Sequence, residues 1–252
     1  MKEIKVFAEE LSNDFRNQLT NLIHDFDVLE GGEGNRNVIK IASVERTAIN
    51  IKAFKIPNLL NLLVYRFFRK SKAQRSFEYA QKLLSMGIGT PRPLGYIEYK
   101  TPILFKKSFY LSEQQTYDIT YRELTKDFEY PDYDTILRAF TRFTYELHKK
   151  GILFLDHSPG NTLIQKVDNA YKFYLVDLNR MKFEKLDFET RIKNFSRLTI
   201  HKSMVEVMSD EYAKCSGEDF ERIFNLMWRE TEDFQYRFYR KKRWKKRLMF
   251  WK

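Results

Sequence analysis

Leu153-Phe154-Leu155-Asp156-His157-Ser158-Pro159-Gly160-Asn161 is the stretch on which the reading of this chain turns. It follows an amphipathic helical run that closes with Leu147-His148-Lys149-Lys150-Gly151, and it precedes Leu175-Val176-Asp177-Leu178-Asn179-Arg180. An Asp with an Asn five residues later on one loop, then an apolar strand ending in a second Asp, is the residue set that phosphoryl transfer requires. One carboxylate orients the attacking hydroxyl and accepts its proton. Hard oxygen ligands hold magnesium on the nucleotide phosphates. Asp156 is thus the expected catalytic base, and Asn161 and Asp177 the expected metal ligands. Taken alone, the loop also suits an ordinary Asx-Pro-Gly turn; the upstream helix, its glycine stop and the apolar strand ending in Asp177 favour the catalytic reading.

Upstream, Gly31-Gly32-Glu33-Gly34-Asn35-Arg36-Asn37 reads as a Gly-rich turn able to approach phosphate, with Gly32 and Gly34 as its binding glycines. Asn37 stands where a third glycine is expected, and Asn tolerates positive φ. A plain hairpin turn fits this segment too. Strands are expected over Val38–Ala42 and Ala48–Phe54. The run Ile49-Asn50-Ile51-Lys52-Ala53-Phe54 offers Lys52 to the nucleotide phosphates. Lys55 competes, but it faces the other side of an extended run. The acid that orients Lys52 is expected on the next helix, which ends near Met86, and Glu78 is the best placed. Phe77, Ala80 and Leu84 recur there at helical spacing, and Gly87, Gly89, Pro91 and Pro93 close it.

The first hundred residues read as strands with one helix. Further strands are expected over Leu94–Tyr99 and Ser108–Leu111, then at Leu153–Leu155 and Phe173–Val176. The second half is mostly helical. Asp132 or Asp134 caps a helix carrying Ile136, Leu137, Phe140, Phe143 and Leu147 on one face. Helices resume near Phe188, with a break near Ser216-Gly217. The expected class is α+β with two lobes: a β-rich N-lobe over residues 1–115, a helical C-lobe over 116–233, and a separate tail over 234–252.

Charge sets the tail apart. The chain carries +11 at neutral pH, yet residues 234–252 hold nine Lys or Arg and no acid, so the remainder is nearly balanced. Phe234, Phe238, Trp244, Leu248 and Trp251 share one arc of a helix, and basic residues cover much of the rest. Such a helix suits an anionic membrane surface, and nucleic acid is not an expected partner. The bland alternative packs the aromatics onto the helical lobe. The chain has one cysteine, Cys215, so no intrachain disulfide is expected. No secretory signal or membrane-spanning run is visible, and the expected location is cytoplasmic. His148 reads as a structural helix-end histidine, His157 as a loop residue near substrate or packed within the loop, and Arg180 as a phosphate or sugar contact. Four histidines and one cysteine without ligand spacing argue against zinc.

Taken together, Asp156-His157-Ser158-Pro159-Gly160-Asn161, Asp177-Leu178-Asn179-Arg180 and the exit Gly87-Ile88-Gly89-Thr90-Pro91-Arg92-Pro93 resemble the lipopolysaccharide kinases that phosphorylate Kdo or heptose. The similarity runs from about Gly31 to Met181. It implies a protein-kinase-like fold and use of ATP and Mg2+, with Asp156 as base, Asn161 and Asp177 on the metal, Lys52 on the phosphates and Glu78 on Lys52. It also implies the lipopolysaccharide inner core (Kdo-lipid A) as acceptor, at the inner face of a Gram-negative inner membrane. The chain departs from protein kinases at Phe154 and Leu155, which replace the His-Arg before the base, and at Asn179, which replaces the Gly of Asp-Phe-Gly. It also lacks an Ala-Pro-Glu triplet after Asp177. Those departures point to a small acceptor rather than a peptide. A kinase for a soluble small molecule or a protein, and an inactive kinase-like scaffold, are the alternatives.

Overall fold

The computed structural model describes residues 1–30, 32, 37–54 and 69–249, with side chains through residue 244. The chain divides into two compact units. One comprises residues 1–116 with 177–179, the other residues 117–176 with 180–252.

The N-terminal unit is built on an antiparallel five-stranded sheet of β1 (Lys2–Phe7), β2 (Asn37–Val44), β3 (Thr47–Phe54), β4 (Pro93–Lys100) and β5 (Phe105–Glu113), in the order β1-β4-β5-β3-β2. Two helices cover its faces. α1 (Asn13–His24) starts at Ser12, whose hydroxyl accepts from the Phe15 amide. It buries Leu19 and Ile23 against Ile49, Ile51, Leu94, Ile97, Phe109 and Leu111. α2 (Lys72–Ser85) is capped by Ser71 on the Gln74 amide. It places Ala73 and Phe77 with Phe54 and Tyr96 on the opposite face. The alternation of β3 decides the chemistry. Ile49 and Ile51 are fully buried under α1, so Asn50 and Lys52 must point to the other side. Truncating Ile51 to Ala would cost about 2–5 kcal/mol. α1 and β1 are additions to the single-helix reading of this region. Their charged, short apolar patterns hide them: only Ser12 and the spacing of Leu19 and Ile23 mark the helix.

The buried ammonium of Lys40 closes the turn ahead of the Gly-rich segment, donating to the carbonyls of Phe26 (2.9 Å), Asp27 (3.3 Å) and Leu29 (2.6 Å). Gly32 follows at φ +84°, where a Cβ would lie 2.5 Å from the Ile39 carbonyl oxygen. Only glycine fits there. Gly34, the other expected phosphate glycine, and Lys55 lie outside the described residues.

The C-terminal unit carries β6 (Ile119–Thr120), the one-turn α3 (Tyr121–Leu124), α4 (Tyr133–Lys149), β7 (Ile152–Phe154), β8 (Thr162–Val167), β9 (Ala170–Leu175), β10 (Met181–Phe183), α5 (Phe188–Lys193), α6 (Lys202–Ser216) and α7 (Phe220–Met249). β6, β8 and β9 form one sheet, and β7 pairs with β10. The core gathers Phe140 of α4, Tyr121, Met208, Tyr212, Ile223 and Met227 in one buried cluster, with the Tyr121 and Phe140 ring centroids 4.2 Å apart. Arg138 ties α4 to α6 through Asp210 (2.5 Å) and Glu211 (3.2 Å). The expected tail is not a separate element: residues 234–249 continue α7 without a break, giving a helix about 45 Å long. No helix among the described residues is long and apolar enough to cross a membrane.

Candidate active site

In the N-terminal unit, Lys52 leaves β3 beside the Phe54 ring and ion-pairs with Asp177 Oδ1 at 2.6 Å. Asn179 Nδ2 donates to the same oxygen at 2.7 Å. Asp177 itself sits at φ +60°, a left-handed conformation that costs a non-glycine residue about 1–3 kcal/mol. The neighbouring Leu178 and Asn179 are buried, so this short segment is pinned at its core end and presents its carboxylate.

Glu78 does not meet Lys52 here, which corrects the pairing read from the sequence. Its carboxylate takes Lys70 at 2.9 and 2.8 Å and Gln74 at 3.0 Å. The reason is local. Gln74 lies one turn back on the same helix face, and Lys70 immediately precedes the helix. Lys52 has a carboxylate of its own in Asp177.

In the C-terminal unit, the β7–β10 pairing positions the loop expected from the sequence to be catalytic. Phe154 opposes Met181, and the Leu155 amide donates to the Arg180 carbonyl at 3.1 Å, which extends the ladder by one rung. Asp156 emerges next. Two guanidiniums meet on its Oδ1, Arg180 Nη1 and Arg197 Nη1, each at 3.0 Å. Arg197 also donates to the Leu155 carbonyl at 2.9 Å, and its guanidinium stacks over Phe234 of α7 with a 5.6 Å separation. Asn161 Nδ2 donates to the Asp156 carbonyl at 2.8 Å, closing the loop. The amide oxygen of Asn161 has no hydrogen-bond donor among the described residues. Gly160 has no side chain, and the Arg122 guanidinium occupies the space a Cβ would fill.

The loop is anchored from behind by two buried histidines. His157 is fully buried among Phe140, Phe154 and Phe195. Neither ring nitrogen has a hydrogen-bond partner among the described residues, and burial pushes its pKa down to about 3. His148 bonds Tyr212 and Asn194, each at 3.1 Å, and Asn194 donates to the Phe154 carbonyl at 2.9 Å. Burial lowers its pKa to about 4. Both rings are neutral braces near pH 7.

Asn161 and Asp177 are linked through the backbone. β8 begins after Asn161 and pairs antiparallel with β9, Thr162 opposite Leu175. The Val176 amide donates to the Asn161 carbonyl at 3.0 Å, and Asp177 is the next residue. The Asp177 carboxylate and the Asn161 amide oxygen are each a hard oxygen donor of the kind Mg2+ takes. The chemistry of each of these two side chains is compatible with the metal that nucleotide chemistry requires.

Comparison with known proteins follows the same line. No family model matches the chain. A curated 3-deoxy-D-manno-octulosonic acid kinase from Pasteurella multocida (strain Pm70) is 23% identical over 168 residues, covering 65% of this chain and 67% of that one. Among solved structures, WaaP in complex with acyl carrier protein superposes with a TM-score of 0.61 at 14% identity, over 92% of this chain and 99% of that one. The chain has a protein-kinase-like fold and is a phosphotransferase similar to the lipopolysaccharide kinases. The Rio2 kinase–ADP/Mg2+-phosphoaspartate complex from Chaetomium thermophilum is a more distant likeness, with a TM-score of 0.46 at 14% identity.

For this phosphotransferase, sequence reasoning missed Arg197, which lies 41 residues from the carboxylate it holds. No periodicity or motif marks it. It also missed Arg122 beside Gly160 and the internal bond from Asn179 to Asp177. The last had a signal: Asp-x-Asn at a strand end is a common self-closing turn.

Proposed function

We propose that this enzyme transfers the γ-phosphoryl group of ATP, with Mg2+, to a hydroxyl of the lipopolysaccharide inner core, the acceptor sugar being Kdo. The observation that carries the proposal is the catalytic loop, on which Asp156 is fixed through one oxygen while Asn161, five residues on, closes the loop with its amide nitrogen. Similarity to an octulosonic acid kinase supplies the sugar.

In this reading Asp156 accepts the hydroxyl proton as the acceptor oxygen bonds to the γ-phosphorus and the bond to the ADP leaving oxygen breaks. Lys52 neutralises nucleotide phosphate charge. Asn161 and Asp177 are the residues that would hold Mg2+, which when bound would offset the charge that builds on the phosphates. Positioning and charge neutralisation supply most of the rate, and no covalent enzyme intermediate is needed.

The distal part of α7 extends the proposal to a membrane. Tyr236, Phe238, Tyr239 and Trp244 are 45–62% exposed among basic residues, as on a helix made to lie in an interface. Each basic residue near an anionic surface contributes about 1 kcal/mol. The enzyme would then work on the inner leaflet of a Gram-negative inner membrane, from the cytoplasmic side.

Labelled ATP offered with Kdo-lipid A, heptosylated core, free sugars and a generic peptide tests the activity. Label is expected on the Kdo of Kdo-lipid A, and label on peptide alone would defeat the proposal. For the helix, a cut after Tyr239 keeps Phe234 under Arg197. It should lower binding to anionic vesicles and activity on embedded acceptor while sparing a soluble sugar analogue. Equal vesicle binding by the cut and intact chains would refute the membrane role.

A further inference from the structure

We infer that Arg180 reads a carboxylate on the acceptor, so that the enzyme selects an acid sugar over a neutral one at the catalytic loop itself. The inference rests on the sugar-kinase reading above and adds a residue and a selection rule to it.

Asp156 carries one negative charge, and two guanidiniums are bonded to its Oδ1, so the immediate surroundings of the base hold a surplus positive charge. The two arginines are not equivalent. Arg197 is built in. It bonds the Leu155 carbonyl as well as Asp156, lies over Phe234, and has a buried Nε. It is a positioning residue for the base. Among the described residues Arg180 makes a single side-chain bond, through Nη1, and its side chain is 53% exposed. Its backbone is fixed, because its carbonyl accepts the Leu155 amide.

A guanidinium offers five N–H donors in a planar fork. One of Arg180's nitrogens is spent on the base, and the remaining edge faces solvent with its geometry set. That edge matches a carboxylate bidentately. Both carboxylate oxygens of Asp156 cannot be tied up if it is to take a proton, and both arginine bonds go to Oδ1, so Oδ2 remains for the acceptor hydroxyl. An acceptor whose carboxylate docks on Arg180 therefore brings its hydroxyl to a base already bonded to the same guanidinium. A neutral sugar lacks that anchor and leaves the surplus charge uncompensated. The anionic class is the one that needs such help, since it must approach the phosphates of the nucleotide.

The experiment compares Kdo-lipid A with its C1 carboxamide, a neutral isostere, under saturating Mg2+ and ATP. Losing charge-assisted bonds of this kind changes kcat/KM by about 10- to 100-fold, and the wild type should prefer the acid by that factor. In Arg180→Gln the acid-to-amide ratio should fall to within about threefold, with the loss on the acid mainly in KM. Arg180→Lys should give an intermediate ratio, because a point charge replaces the fork. Arg197→Gln should lower kcat on both acceptors and keep the ratio. Unchanged melting temperatures confirm folded variants; a misfolded Arg180→Gln leaves Arg180→Lys to decide. A wild type indifferent to the carboxamide overturns the inference while leaving the sugar-kinase reading intact. A ratio that collapses in Arg122→Gln and survives in Arg180→Gln overturns it too, as does a KM rise confined to ATP. If the wild type labels neither sugar, the underlying reading falls first and the inference with it.

Discussion

Asp156 and Asp177 are both carboxylates at the ends of short strands, and each is bonded to basic side chains, yet the protein holds them in opposite ways. Asp156 is gripped by two arginines on one oxygen, one of them locked against the backbone and an aromatic ring. Asp177 stands at φ +60°, held by one lysine and by an amide two residues away. The first arrangement fixes one oxygen and, among the described residues, leaves its twin without a donor, which suits the proposed base. The second holds a carboxylate at a positive φ with one bond each from Lys52 and Asn179 on a single oxygen, which suits the proposed metal ligand. Two identical functional groups are thus separated by what surrounds them.

The largest expected effect tests that separation directly. Asp156→Asn should lower kcat by about 10³-fold, the range of a lost general base, while Mg2+-ATP binds as in the wild type. Asp177→Ala should abolish turnover as well, but with Mg2+-ATP affinity reduced at least about tenfold. Titration of both variants with a fluorescent nucleotide reads the difference. Equal nucleotide affinity in the two would erase the distinction drawn here.

A smaller effect sharpens the lysine side. Lys52→Met should cost about 10²-fold in kcat/KM, and Glu78→Gln less than about threefold, since Glu78 is committed to Lys70. Comparable losses in the two variants would mean that Glu78 exchanges Lys70 for Lys52 during turnover.

The smallest effect concerns the histidines behind Asp156. Their folded pKa values lie below the free histidine value of about 6.5, at about 4 for His148 and about 3 for His157, because burial penalises the charged ring. The unfolded chain therefore takes up protons first. Stability is whole above pH ~6.5 and declines as pH falls through the window down to about 4 and then about 3. Melting curves should show a midpoint that drops by several degrees between pH 7.5 and pH 5, and His157→Phe should flatten that slope. A midpoint independent of pH over this range would contradict the buried, neutral assignment.

Much of the candidate site was legible because it is local. The five-residue step from Asp156 to Asn161 and the strand ending at Asp177 are chain spacings, and the facing of Lys52 follows from strand alternation once Ile49 and Ile51 are taken as core. β8 was harder. Thr162–Val167 reads as loop because the expected strands stood on either side of it, yet its pairing with β9 is what sets Asn161 and Asp177 on adjacent chain ends. Glu78 was misassigned because helical periodicity places a residue on a face without saying which cation lies opposite.

The sequence by itself determined the order of the chemical groups, the two-unit α+β pattern and the excess of positive charge near the C-terminus, since each depends on residues within a few positions of one another. Only the tertiary structure decided who holds whom. Arg197 reaches Asp156 across 41 residues, Lys52 reaches Asp177 across 125, and Phe234 of the terminal helix lies beneath Arg197. Such pairings arise from packing of whole elements. A short window of sequence carries no record of which distant side chain will fill the remaining space.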